Sequence, residues 1–256
     1  MSTSQAIEAL RDLLASPTVK GWRAICQLLA DLPDASEALT LALDYVDTHA
    51  DTWKPDLRPC PAIWAYQLLA GVDQPRLRVV RVLDYDKAGR VIYNDRRFNL
   101  DGAVHLPTML PPNRDTLAHV AACPWLKRLH TLNLRENHLD ADDINVFIGS
   151  TAMPELHTLD LYYNDIEAGQ LFLDPFVNPI RQLHLGLNGA SYSDLAEALA
   201  TTAQLTNLRS LEIDWIYYNS FEDLEWVATN TNLHASVRRT IEKTAAERQE
   251  YDETNE

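Results

Sequence analysis

The twelve residues LHTLNLRENHLD, 129–140, return 27 positions later as LHTLDLYYNDIE, and what returns is a set of apolar letters, one asparagine and the His-Thr pair between the first two leucines. Aligned on that pattern, the second half of the chain reads Leu129, Leu132, Leu134, Asn137, Leu139; then Leu156, Leu159, Leu161, Asn164, Ile166. Ile180, Leu183, Leu185 and Asn188 follow, and Leu208, Leu211 and Ile213 close the series. The units thus start at Leu129, Leu156, Ile180 and Leu208, a nearly regular spacing. A period of this size restricts the chain to an array in which each unit buries its apolar face only against its neighbours. Leu-x-Leu alternation is the period of a strand with one buried face. Such short strands need partners, so successive ones should pair in parallel, roughly 4.8 Å apart, with like leucines stacked into one core.

The asparagine falls where the chain leaves the strand while still at the edge of the core. Backbone groups there must be satisfied, because a buried unpaired polar group costs about 1–3 kcal/mol. A carboxamide both donates and accepts, so Asn137, Asn164 and Asn188 are expected to form a structural ladder. Ile216 holds the equivalent place in the fourth unit, which ends it. The return path reads as helical: Ile144, Phe147 and Ile148 have helical spacing, and Ser191-x-x-Asp194 and Ser220-x-x-Asp223 resemble capping boxes. Asp174-Pro175 breaks the second return segment into a single turn.

This pattern resembles the leucine-rich repeat, L-x-x-L-x-L-x-x-N/C-x-L, whose period is roughly 20 to 29 residues. A strand plus a helix in units of this length is similar to the ribonuclease-inhibitor-like subtype. The resemblance covers roughly positions 124 to 228. It implies an α/β solenoid with parallel strands on the concave face. Earlier in the chain, Leu77, Val80, Val82 and Tyr85 fit the same apolar pattern, with Val80 two periods of 26 before Leu132. That reading adds a degenerate unit with Val104 or Leu106 in its strand and Arg114–Ala122 as its helix. DYDKAGRVIYND reads equally well as a hairpin around Lys87-Ala88-Gly89.

Residues 1–75 differ, with amphipathic helices expected over 4–15, 19–32, 36–49 and 61–70, the last followed by Gly71. They form an N-terminal cap or a small helical domain. Residues 76–232 form the solenoid, and 233–256 a closing helix with a frayed acidic tail.

The x positions of x-L-x-L-x face away from the core and are free to vary. The binding candidates among them and beside them are Arg135, Asp160, Tyr162, Tyr163, His184, Glu212, Asp214 and Trp215. Thr131, Asn133, Thr158, Gln182, Gly186 and Ser210 share that face, with Arg81 if the earlier unit is real. Tyr and Trp dominate interface hot spots, and the carboxylates suit a basic or polar partner. Tyr217 and Tyr218 either join this face or pack beneath the last loop.

The remaining signals exclude more than they assign. A formal charge of −15 repels phosphate backbones and anionic membranes. No stretch has the form of a signal peptide or the roughly 18 apolar residues of a membrane span. Three scattered cysteines, Cys26, Cys60 and Cys123, fit a reducing compartment, so the cytoplasm is expected. His130 and His157 share a register and should lie side by side, without a carboxylate or cysteine to complete a metal site. No HExxH, P-loop, GxGxxG or GxSxG motif occurs. The expectation is therefore a monomeric, non-catalytic scaffold with no cofactor, binding a protein partner on its concave face. The alternatives are an enzyme or enzyme subunit with a site where the helices meet the repeats, or an inhibitor of a basic enzyme or toxin.

Overall fold

The computed structural model describes residues 2–85, 114–167, 170, 177–186, 188, 192–203, 205–213 and 221–255. Five strands of three residues each form one parallel sheet in chain order: β1 Val82–Asp84, β2 Thr131–Asn133, β3 Thr158–Asp160, β4 Gln182–His184 and β5 Ser210–Glu212. Leu132, Leu159, Leu183 and Leu211 are direct partners in neighbouring strands. They and the leucines flanking them are buried, whereas the alternate residues are mostly half-buried or exposed. Helices α5 (Arg114–Ala122), α6 (Ala141–Ile148), α7 (Tyr192–Thr201) and α8 (Phe221–Ala228) carry the chain back between strands or away from the last one. The molecule is thus mixed α/β, with a parallel sheet that keeps one face open.

The turn after each strand is held by the asparagines. Asn164 Oδ1 accepts the amides of Asn137 and Leu139 at 3.1 Å each, and Asn164 Nδ2 donates to the carbonyls of Leu134, Leu161 and Tyr162. Asn188 repeats the pattern toward Ile166, Leu161 and Leu185, and Asn137 toward Tyr85 and Arg135. Each carboxamide therefore ties its own turn to the preceding one. At the opposite side, Asn178 donates to Phe147 and Asn230 to Leu199 and Thr202, capping the last turns of α6 and α7.

The first strand departs from the expected register by three positions. Leu83, not Val80, pairs with Leu132, and Tyr85 takes the slot of Leu134. The Tyr85 ring is buried and its hydroxyl donates to the Ala65 carbonyl at 3.1 Å, which a leucine-counting pattern could not anticipate. Arg81 consequently leaves the open face. Because β1 pairs directly with β2, no strand of a further unit stands between them. Val104, Leu106 and the Lys87–Gly89 hairpin lie outside the described residues.

Four helices precede the sheet: α1 Thr3–Leu14, α2 Val19–Ala30, α3 Glu37–His49 and α4 Ala62–Leu69. Ser2, Thr18 and Ser36 cap the first three by accepting an amide from the first turn. Gly71 ends α4 at φ +74°, a left-handed conformation that costs glycine nothing. Two buried arginines add donors to carbonyls at helix ends. Arg76 donates to the Leu29 and Leu32 carbonyls at the end of α2, and Arg58 to the Ala50 and Val79 carbonyls beyond α3. Burial, with Arg81 nearby, draws the Arg58 guanidinium down to about 9, so it stays charged at neutral pH. Asp47 on α3 gathers this charge, lying 3.1 Å from Arg81, 3.0 Å from Arg128 and 3.9 Å from Arg58.

The segment 58–60 also joins the sheet, with Pro59 bridged to Val82 and the Cys60 amide donating to the Val82 carbonyl. The buried apolar side chains form one cluster from Ala6 to Ala245, unbroken at position 75. At the far end α9, Ala235–Asn255, buries Val237, Ile241 and Ala245 and packs on α8 and β5. The tail expected to fray continues this helix through Asn255. No described helix is long and apolar enough to cross a membrane.

Candidate functional site

The register lays the variable positions in rows across the open face. Val82, Thr131, Thr158, Gln182 and Ser210 form one row, and Asp84, Asn133, Asp160, His184 and Glu212 the next. Thr158 and Gln182 bond across β3 and β4, Oγ1 to Oε1 at 3.0 Å. In the second row Asn133 and Asp160 play the same local part. Each side chain accepts the amide two positions on, from Arg135 at 3.0 Å and Tyr162 at 3.1 Å, fixing the bend that follows the strand.

His184 stands between two carboxylates. Its Nδ1 is 3.2 Å from Asp160 Oδ2 and its Nε2 is 3.5 Å from Glu212 Oε2. The hydrogen bond to Asp160, reinforced by the charge of both carboxylates, raises the imidazole above its usual range. Arg135 reaches the other side of Asp160, Nη1 to Oδ2 at 3.7 Å, while its guanidinium lies 4.5 Å over the Tyr162 ring. By register Asp160 should offer a free carboxylate to a partner. It is instead only 8% exposed, because Arg135, His184 and the Tyr162 amide enclose it. Its role is to orient its neighbours.

Tyr163 is the prominent apolar feature of this edge, 49% exposed. Its backbone is left-handed, φ +54°, as is that of Glu136 at φ +55° one unit earlier. Both immediately precede a ladder asparagine. In this conformation a non-glycine side chain is strained by roughly 1–2 kcal/mol. The asparagine bonds fix the backbone, and the phenol ring turns outward.

Arg135, Asp160, Tyr162, Tyr163, His184 and Glu212 are thus brought together along β2 to β5. Asp214 and Trp215, like Tyr217 and Tyr218, lie outside the described residues. His130 and His157 pack edge-on with ring centroids 5.3 Å apart. A carboxylate does join them, since Glu155 Oε2 is 3.1 Å from His130 Nε2; the pattern missed it because Glu155 lies in the turn before β3. Among the described residues no cluster of three or more His, Cys, Asp or Glu has the arrangement of a metal site. Cys26, Cys60 and Cys123 are free thiols raised above their usual range, chiefly by burial, which suppresses their reactivity.

Sequence reasoning also missed Arg181 and Arg209. The signal was their register, one place before Gln182 and Ser210, which continues a row from Arg81 through His130 and His157.

No family model matches the chain, and no curated protein matches it. Among solved structures, the tropomodulin C-terminal domain of Caenorhabditis elegans is similar at 12% identity. The match spans 76% of this chain and 98% of that one, with a TM-score of 0.39. A likeness this slight bears on neither fold nor function.

Proposed function

We propose that this chain is a leucine-rich-repeat solenoid of the ribonuclease-inhibitor-like kind, acting as a non-catalytic scaffold that binds a protein partner on its open strand face. The observation that carries the reading is the register. Repeating leucine and asparagine in each unit while varying the outward positions leaves a pre-formed surface of rows, which suits recognition of another macromolecule. Tyr163, Tyr162 and Arg135 supply rigid aromatic and guanidinium contact area, and Glu212 an exposed carboxylate.

His184 is the group on this face that most resembles an acid–base catalyst. Both its nitrogens are occupied by carboxylates, and no described hydroxyl or thiol bonds to it. That favours a structural clasp over catalysis. Inhibition of a basic enzyme is a special case of the same face, with the exposed carboxylate of Glu212 meeting the target's cations.

The test is affinity capture from the source cell lysate with wild type and with Tyr163→Gly plus Glu212→Lys, followed by crosslinking of the recovered partner. Glycine relieves the left-handed backbone, so the variant retains its fold. The reading expects crosslinks on β2 to β5 and at least about tenfold weaker capture by the variant. Equal recovery of the same partners by both proteins sinks it.

A further inference from the structure

A row at the strand starts, along the edge of the open face, has a sign opposite to the chain as a whole. Arg81, His130, His157, Arg181 and Arg209 occupy equivalent places at the strand starts, and from His130 onward each amide donates to the carbonyl of the residue before it in the row, at 2.7 to 3.0 Å. The charges along this row are balanced at one end only. Arg81 is buried and paired with Asp47, and His130 is paired with Glu155. Toward β5 the compensation stops. Arg181 is exposed and no described residue bonds or pairs with its guanidinium. Arg209 is exposed too, and its Nη1 donates to the Thr206 and Leu208 carbonyls at 3.2 and 3.1 Å, which orients the guanidinium; its other donors bond to no described residue.

We infer that Arg181 and Arg209, flanked by His157, bind a carboxylate-bearing segment of the protein partner. Adjacent rungs set the two guanidiniums' backbones roughly 4.8 Å apart. Acidic residues four apart on a helix, about 5–6 Å between Cβ atoms, match that spacing. The net charge of −15 does not override the row, because charges beyond about 8 Å are screened at physiological ionic strength. Glu212, the carboxylate on β5, is three positions from Arg209, roughly 10 Å along the strand. His157 already registers the local field. Desolvation first, then Arg181 and His130, lower its basicity against the opposing pull of Glu155.

The inference rests on the proposed binding surface extending from the open face to its strand-start edge, but its test needs no captured partner. Histidine imidazole signals are followed by NMR during pH titration, with and without a blocked hexaglutamate peptide. An anion seated between Arg181 and Arg209 raises the His157 midpoint, and by linkage the peptide binds more tightly at lower pH. Arg181→Ala plus Arg209→Ala, at exposed positions that leave the core intact, should abolish the shift and weaken binding about tenfold. Arg181→Lys plus Arg209→Lys should largely restore it. The inference is overturned if millimolar peptide leaves wild-type His157 unmoved, or if the alanine variant shifts equally. It is also overturned if hexathymidylate, of comparable charge, binds better than the peptide. Failure here alongside loss of capture in the Tyr163/Glu212 variant removes the anionic half of the interface and leaves the binding face standing.

Discussion

Asn164 accepts two amides and donates to three carbonyls drawn from two successive turns, whereas half-buried Asn188 makes three such bonds. Removing either carboxamide orphans backbone groups in proportion to their number and burial. Asn164→Ala should cost about 3–4 kcal/mol in urea unfolding and Asn188→Ala about half that; equal losses would refute the ladder as a stabilising device. His184 gives a pH signature of known sign. Its folded-state basicity is raised, mainly by Asp160, so its contribution is complete below the unfolded value of 6.5 and fades as pH rises through the folded one. Unfolding midpoints measured above pH 6.5 should therefore fall with pH in the wild type and lose that slope in His184→Gln.

At the scale of elements, what was legible in the sequence was whatever repeats. The leucine spacing announced β2 to β5 and their register, and the asparagines announced the turns, because one physical demand recurs in each unit. The first strand was misread by three positions because a buried tyrosine with a hydroxyl partner replaces the expected leucine, and letter patterns do not see partners. The arginine caps were invisible for a related reason. Arg58 and Arg76 act on carbonyls of helices that precede them in the chain, and nothing in their local spacing marks them as buried. Arg58→Leu should cost about 3–5 kcal/mol, since it leaves the buried Val79 carbonyl without its donor, takes one of two donors from the Ala50 carbonyl and leaves Asp47 with one fewer counter-charge. Arg78→Leu, at a more exposed position, should cost under about 1 kcal/mol. The site was half legible: register placed its residues on one face, but the enclosure of Asp160 and the row of Arg181 and Arg209 depend on cross-strand neighbours.

For the whole molecule, the single apolar cluster from Ala6 to Ala245 and the bridge at Pro59 make the leading helices part of the sheet's foundation. Urea denaturation followed by far-ultraviolet circular dichroism and by tryptophan fluorescence should give coincident single transitions, because Trp22 and Trp53 report the helices, Trp125 and Trp226 the segments around the sheet, and both unfold together. Two separated transitions would show that the four leading helices form a unit stable by itself. Among the described residues both ends of the sheet are occupied, one by residues 58–60 and the other by α9, and five rungs lie between them. That number matters for what can lie across it. A helix climbs about 5.4 Å per turn against roughly 4.8 Å per rung, a vernier that slips only about 0.6 Å at each step. From β2 to β5 the slip totals about 2 Å, within the reach of a side chain. One straight helix can thus keep pace with this entire surface, a match that a sheet of twice the span would forfeit.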